Sequence, residues 1–337
     1  MTRTLGLALT LAAALTAGCK KKSEPAPAAG SGSAAAGSGS AAAGSGSAAA
    51  GSGSAAAGSG SAVAPTPPAP PHVADGLATP ESVLYDAAND RYLVANINGA
   101  PLDVDDNGFI AVLGPDGKAV AGKWIDGAAA DVTLNAPKGM AIVGGTLWVA
   151  DIDHVRKFDL ATGKPAGEVK LDGAAFLNDV AAAPDGSIVV SDTGVDKTFA
   201  STGADAIYRI AADGKVTPVI KDKALGSPNG VHVTADGTIW VATFGSGELY
   251  AIDPAGAKQP GQKLPKGQLD GIVALPGGDL LVTSWEGSAV YRGKPGGEWK
   301  AIAENLKAPA DLGYDSKRGW MLVPLFTDNG VHAAAVP

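Results

Sequence analysis

The chain has 337 residues, and its net charge of −8 is spread without any basic stripe, which argues against a nucleic-acid partner. Aromatic residues make up only 5%, yet Val, Leu, Ile and Ala are abundant enough to build a sizeable core after position 71. The single cysteine, Cys19, excludes any disulfide within one chain.

Arg3 and the apolar run from Leu5 to Leu15 read as an export signal, too short to cross a bilayer core. The run ends in Leu15-Thr16-Ala17-Gly18-Cys19, which resembles a bacterial lipobox. The resemblance implies cleavage after residue 18 and acylation of Cys19. Lys20, Lys21 and Lys22 would then sit at anionic headgroups. Export with lipid anchoring to a bacterial membrane is therefore expected. Lys20, in place of the Asp that retains some lipoproteins at an inner membrane, favours the outer membrane or the periplasmic face. From Gly30 the sequence Gly-Ser-Gly-Ser-Ala-Ala-Ala occurs four times and then gives way to a Pro-rich stretch. Residues 19–71 are thus expected to be a flexible tether reaching roughly 40 Å.

Residues 72–337 carry a repeat. Pro80-Glu81-Ser82-Val83, Pro137-Lys138-Gly139-Met140, Leu177-Asn178-Asp179-Val180, Pro228-Asn229-Gly230-Val231, Leu269-Asp270-Gly271-Ile272 and Pro309-Ala310-Asp311-Leu312 each open a similar segment. Their spacings are 57, 40, 51, 41 and 40, the size of a four-stranded propeller blade with two insertions. Asp185-Gly186, Asp236-Gly237 and Gly277-Gly278 supply hairpin turns between first and second strands. No stretch shows a 3.6-residue apolar period, so the domain is expected to be all-β. The sixth repeat offers only three strands, and the segment His72–Ala78 is the available fourth. The expected fold is a six-bladed β-propeller whose last blade is closed by an N-terminal strand. A monomer is expected.

In such a ring the start of each first strand faces the channel mouth. That column reads Glu81, Lys138, Asn178, Asn229, Asp270 and Ala310. Loops joining second to third strands open on the same face. Two are long, over 97–108 and 192–205, and others bring Asp151, Phe244, Trp285 and Phe326 to the rim. Lys138, Trp285, Asp151 and Asp192 are the candidate contacts for a small-molecule substrate. Glu81 and Asp270 offer anionic oxygens and Asn178 and Asn229 neutral ones, a hard donor set suited to Ca²⁺, Mg²⁺ or Mn²⁺. A divalent cation there would polarise a lactone or ester carbonyl, and Asp270 would relay the proton.

The blade-opening motifs, with Pro184-Asp185-Gly186 after the third, are similar to those of the gluconolactonase/senescence-marker-protein family, over most of Pro80 to Val323. The resemblance implies a divalent cation on Glu81, Asn229 and Asp270, with Asn178 touching metal or substrate. Two departures accompany it. Glu81-Ser82-Val83 replaces the usual Glu-Gly-Pro, and Lys138 stands in the ligand column. Its ammonium could neutralise Glu81 or Asp270 in place of a metal, bind an anionic substrate, or snorkel to solvent. Two functions follow: a metal-dependent lactone or ester hydrolase in the cell envelope, or a non-catalytic propeller binding a small molecule or protein at the same mouth.

Three weaker signals point elsewhere. Asp103-Val104-Asp105-Asp106-Asn107-Gly108 opens like a calcium loop but has Gly114 where a bidentate Glu belongs, so a polar loop is expected. Ser191, Ser227 and Ser284 lie in no nucleophile elbow. Trp148 and Trp240 occupy equivalent second-strand positions and are expected between blades.

Overall fold

A computed structural model of the chain describes residues 72–73 and 76–337. The expected export signal (1–18), Cys19 and the tether (19–71) lie outside the described residues. Among the described residues, twenty-four strands form six four-stranded antiparallel sheets, with one 3₁₀ turn at Lys223–Leu225. After β1 (His72–Val73), blade one holds β2 (Pro80–Asp86), β3 (Arg91–Asn96), β4 (Phe109–Leu113) and β5 (Ala119–Asp126). Blade two holds β6 (Pro137–Val143), β7 (Thr146–Asp151), β8 (His154–Asp159) and β9 (Pro165–Lys170). Blade three holds β10 (Leu177–Ala182), β11 (Ile188–Asp192), β12 (Ala206–Ile210) and β13 (Val216–Lys221). Blade four holds β14 (Pro228–Val233), β15 (Ile239–Thr243), β16 (Glu248–Ile252) and β17 (Gln262–Lys263). Blade five holds β18 (Leu269–Ala274), β19 (Leu280–Ser284), β20 (Ala289–Gly293) and β21 (Trp299–Ala303). Blade six holds β22 (Gly313–Asp315), β23 (Trp320–Leu325) and β24 (Gly330–Ala335). Its fourth strand is β1, which pairs His72 with His332 and Val73 with Val331. The six-bladed all-β propeller and its N-terminal closure are as the repeats predict.

The core is divided among the blade interfaces. Trp148 and Val155 of blade two pack on Val180, Val190 and Tyr208 of blade three. Trp240 and Leu249 of blade four pack likewise on Ile272 and Val282 of blade five. Each blade therefore buries both faces of its middle strands, which accounts for their near-continuous apolar runs. The outer strands β5, β9 and β13 face water and are mostly exposed. Gly186, Gly237 and Gly278 turn the hairpins with positive φ, as their sequence predicts.

The closing strand is shorter than the segment expected for it. Leu77 leaves the ladder to pack between blades six and one, and Asn96 Oδ1 accepts from Ala78 N–H at 2.9 Å. A polar clasp reinforces this seam. Tyr92 Oη of blade one donates to Asp315 of blade six at 2.7 Å, and Arg318 bonds both Asp315 (2.8 Å) and Asp90 (2.7 Å). Asp315 is fully buried, so Arg318→Ala leaves a buried carboxylate without its cation. That change is expected to cost about 3 kcal/mol, measured as a lowered denaturant midpoint. Leaving the midpoint unmoved would show the clasp to be idle.

Candidate functional site

The first strands of neighbouring blades run side by side around the channel. Between blades one and six, Val83 N–H donates to Asp311 O at 3.2 Å and Asp311 N–H to Glu81 O at 2.9 Å. In blades one to five the pairing of the first strand with the second slips at its start, between Pro80 and Ser82 and between Pro228 and Val231, for example. Such a bulge re-aims a side chain out of the regular alternation. The second residue of each strand here falls in the channel column. Asn229-Gly230 and Asp270-Gly271 lie inside β14 and β18. Their glycines answer to closeness: a Cβ on Gly230 would stand 2.3 Å from Asp270 O, and one on Gly271 2.4 Å from Leu312 N.

Glu81, Asn178, Asn229 and Asp270 are all at least nine-tenths buried. Each keeps one side-chain oxygen with no hydrogen-bond partner: Glu81 Oε2, Asn178 Oδ1, Asn229 Oδ1 and Asp270 Oδ1. The Asn178 amide is oriented from behind, since its Nδ2 donates to Thr193 Oγ1 at 3.0 Å. Four orphaned oxygens in one column are the donor set that a hard cation needs. Among the described residues no three His, Cys, Asp or Glu side chains converge as a metal cluster; this set is two carboxylates and two amides.

Lys138 is fully buried and does not snorkel. Its Nζ donates to Ala136 O at 2.9 Å and lies 4.6 Å from the Phe176 ring centroid. Burial pulls its pKa down to about 8, opposed by the charges of Glu81 and Asp151. Glu81 Oε2 nevertheless stays unpartnered, so the lysine shares the field of the site without capping its ligands.

Two carboxylates below the column were missed from sequence. Asp179 accepts from Val180 N–H and, across the blade boundary, from Val231 N–H, both at 2.7 Å. Asp311 accepts from Ser82 Oγ at 2.5 Å. Glu81, Asp179, Asp270 and Asp311 all have raised pKa values, with burial the largest cause in each. Asp311 is pushed up to about 7, and its charge raises the other three. Four buried carboxylates therefore face one buried ammonium, and the excess negative charge requires protons or a cation. The signal was present in the third column of the repeat, which reads Ser82, Gly139, Asp179, Gly230, Gly271, Asp311. Gly139 and Gly271 make room for the two aspartates, since a Cβ on either would collide with its neighbouring Asp.

Asp151 and Asp192 close the rim strands from inside. Asp151 accepts from the Asn135 and Ala136 backbone and pairs with Arg156 at 2.9 Å. Asp192 accepts from Ala175, Phe176 and Gly194 N–H. Both are fully buried and act as loop clasps, their carboxylates committed to backbone N–H groups. Trp285 does stand there, half-buried, between Phe244 (centroids 5.4 Å apart) and Phe326 (5.2 Å). Its indole moderates the raised pKa of Asp270, while Nε1 completes no hydrogen bond. Proximity without a closed bond is the reading that fits both facts. Across the mouth the long loops are joined by Lys197 and Asp103 at 3.1 Å. The acidic loop bonds within itself, Asn107 Nδ2 donating to Asp105 at 2.6 Å.

Residues 79–311 match the SMP-30/Gluconolactonase/LRE-like region. No curated protein sequence matches the chain. Among solved structures, a gluconolactonase from Xanthomonas campestris superposes with a TM-score of 0.62 at 17% identity, covering 80% of this chain and 99% of that one. Regucalcin from Agrobacterium tumefaciens, described as calcium-binding, gives 0.55 at 20% identity over 79% and 93% of the two chains. Virginiamycin B lyase from Staphylococcus aureus gives 0.55 at 14% identity over 76% and 95%. At these identities the likeness shows the propeller alone, and the lyase carries a different chemistry on it.

Proposed function

The chain belongs to the SMP-30/gluconolactonase/LRE-like family, and on that premise we propose that its channel mouth hydrolyses a lactone or ester with a divalent cation. The observation that carries this reading is the four unpartnered, buried oxygens of Glu81, Asn178, Asn229 and Asp270. They would hold the cation, with Ca²⁺, Mg²⁺ and Mn²⁺ the candidates. When bound, such an ion supplies Lewis-acid polarisation of a carbonyl and makes a coordinated water more acidic.

The chain's own residues do the rest. Burial gives Asp270 a raised proton affinity, so its carboxylate takes a proton from the attacking water and returns it to the departing alcohol oxygen. Water and lactone together give the hydroxy acid. Asn178, fixed by Thr193, keeps its carbonyl directed at the reacting centre. Lys138 offsets part of the carboxylate charge from below.

Calorimetric titration of the purified protein with each cation, beside initial rates on simple lactones and aryl esters, tests the proposal. Cation binding and chelator-sensitive hydrolysis are expected together. Hydrolysis that survives full chelation would remove the metal from the reaction, and cation binding without turnover would leave a binding propeller. The placement proposed is the periplasmic face or outer membrane, by way of acylated Cys19 and the 19–71 tether. Cys19→Ser is expected to move the protein from the membrane to the soluble fraction. Continued membrane association would contradict the anchor.

A further inference from the structure

Every blade mounts one residue directly after its second strand at the mouth, and these six positions are sharply unequal. They are Ile97, Ile152, Thr193, Phe244, Trp285 and Phe326. The three aromatics fall on consecutive blades and touch in series, Phe244 edge-on to Trp285 at 82° and Phe326 tilted against it at 52°. Their mounting is rigid. Phe244, Trp285 and Phe326 each donate a backbone N–H to the carbonyl of the residue just before the opening motif of their own blade, Ser227, Gln268 and Ala308, at 2.9 to 3.1 Å. All three acceptor residues sit at positive φ, which fixes the corner on which the ring is carried.

In the centre of this arc, Trp285 Nε1 is buried, unpartnered and beside the Asp270 carboxylate. A buried indole N–H normally finds an acceptor, because leaving it unmet costs desolvation without return. Several other polar groups of the rim are already engaged. Thr193 Oγ1 donates to Pro228 O, Ser246 bonds Thr243, Glu286 accepts from Gly267 N–H, and Asp328 pairs with Lys307. The arc thus offers a broad apolar surface with an unpartnered donor at its centre. Beneath it lie the four buried carboxylates and the buried ammonium of Lys138.

We infer that the site is built for a lactone or ester bearing an alkyl or aryl group. That group packs on Phe244, Trp285 and Phe326, and the Trp285 indole donates to a substrate oxygen next to Asp270. A polyhydroxylated lactone gains less from this arc, whose three rings offer its hydroxyls only the one indole N–H. The inference rests on the reading of the channel mouth as the substrate site and adds the substrate class.

The test is binding of two unreactive lactams to the full-length protein: dihydroquinolinone, the counterpart of an aromatic lactone, and gluconolactam, the counterpart of a polyhydroxylated one. Isothermal calorimetry is expected to show the aromatic lactam binding at least about tenfold more tightly. Trp285→Phe, which keeps the stacking face and loses the N–H, should weaken it about fivefold. Trp285→Ala should weaken it about a hundredfold, and Phe326→Leu serves as a second variant if that protein does not fold. Tighter binding of gluconolactam, or unchanged affinity in both Trp285→Phe and Phe326→Leu, overturns the inference. Because neither lactam turns over, failed hydrolysis of every lactone would sink the hydrolase reading while these affinities still decide the arc.

Discussion

Asp270→Ala is expected to abolish cation binding and lactone or ester hydrolysis together, while the propeller stays folded. Asp270 contributes one of only two anionic oxygens in the donor set, and its Oδ1 has nothing else to bond. Loss of a residue that merely orients a ligand weakens metal binding about 10- to 100-fold, so loss of an anionic ligand should exceed about a hundredfold. Folding is not expected to suffer. The substitution deletes a buried charge instead of orphaning one, and it relieves Glu81, whose pKa the Asp270 charge raises. Titration calorimetry, initial rates and a denaturant curve on the same preparation separate these effects. Asp270→Asn is the sharper control, since it keeps the shape and removes only the charge. Cation affinity within tenfold of the parent in Asp270→Ala would take Asp270 out of the site.

At pH 8, in chelator, Asp311→Asn should make the protein more stable by up to about 4 kcal/mol. The Asp311 pKa rises from 3.8 to about 7 on folding, chiefly by burial. The folded state therefore holds this proton more tightly than the unfolded chain, and the contribution of Asp311 to stability is fullest below pH 4. It is lost as pH rises toward 7, by about 1.4 kcal/mol per pH unit across that window. Asparagine cannot ionise, yet its carbonyl still accepts from Ser82 Oγ, which now bonds Asp311 at 2.5 Å. The advantage should shrink toward zero near pH 4, where both side chains are neutral. Guanidinium midpoints measured from pH 4 to 8 give the comparison. Identical midpoints at pH 8 would mean that Asp311 is not held in the apolar setting described. A divalent cation should narrow the gap from the other direction, by stabilising the parent at high pH.

The fold was legible because a propeller repeats its instructions. Six similar openings at near-constant spacing fixed the blade count, and the missing strand of the sixth repeat pointed to residues 72–78. The ligand column was legible for the same reason, since one register position in six blades can be read down the page. Asp179 and Asp311 escaped because they sit one residue further on, where regular strand alternation would turn them away from the channel. The bulges in the first strands break that alternation, and a bulge has no clear sequence signature when glycine serves close packing at negative φ. Asp151 and Asp192 were drawn to the mouth by position alone. Their work as clasps answers the need of buried backbone N–H groups at Ala136 and Phe176 for an acceptor, a demand visible only once the loops are built. The charge of Lys138 was visible from the start, but its seat on Ala136 O and the Phe176 face was not.

Closure by β1 also dictates when the molecule can become whole. His72 meets His332 at a sequence separation of 260. Blades two to five can each assemble from contiguous sequence as they are made, but the ring must wait for its last twenty residues. The entropy of that final closure grows only logarithmically with the length spanned, so the delay is one of order more than of cost. Until then the faces of blades one and six lie open to water and to other chains. A translation product that stops short of β24 would hold five nearly native blades, expose an apolar seam, and be marked by it for aggregation or proteolysis.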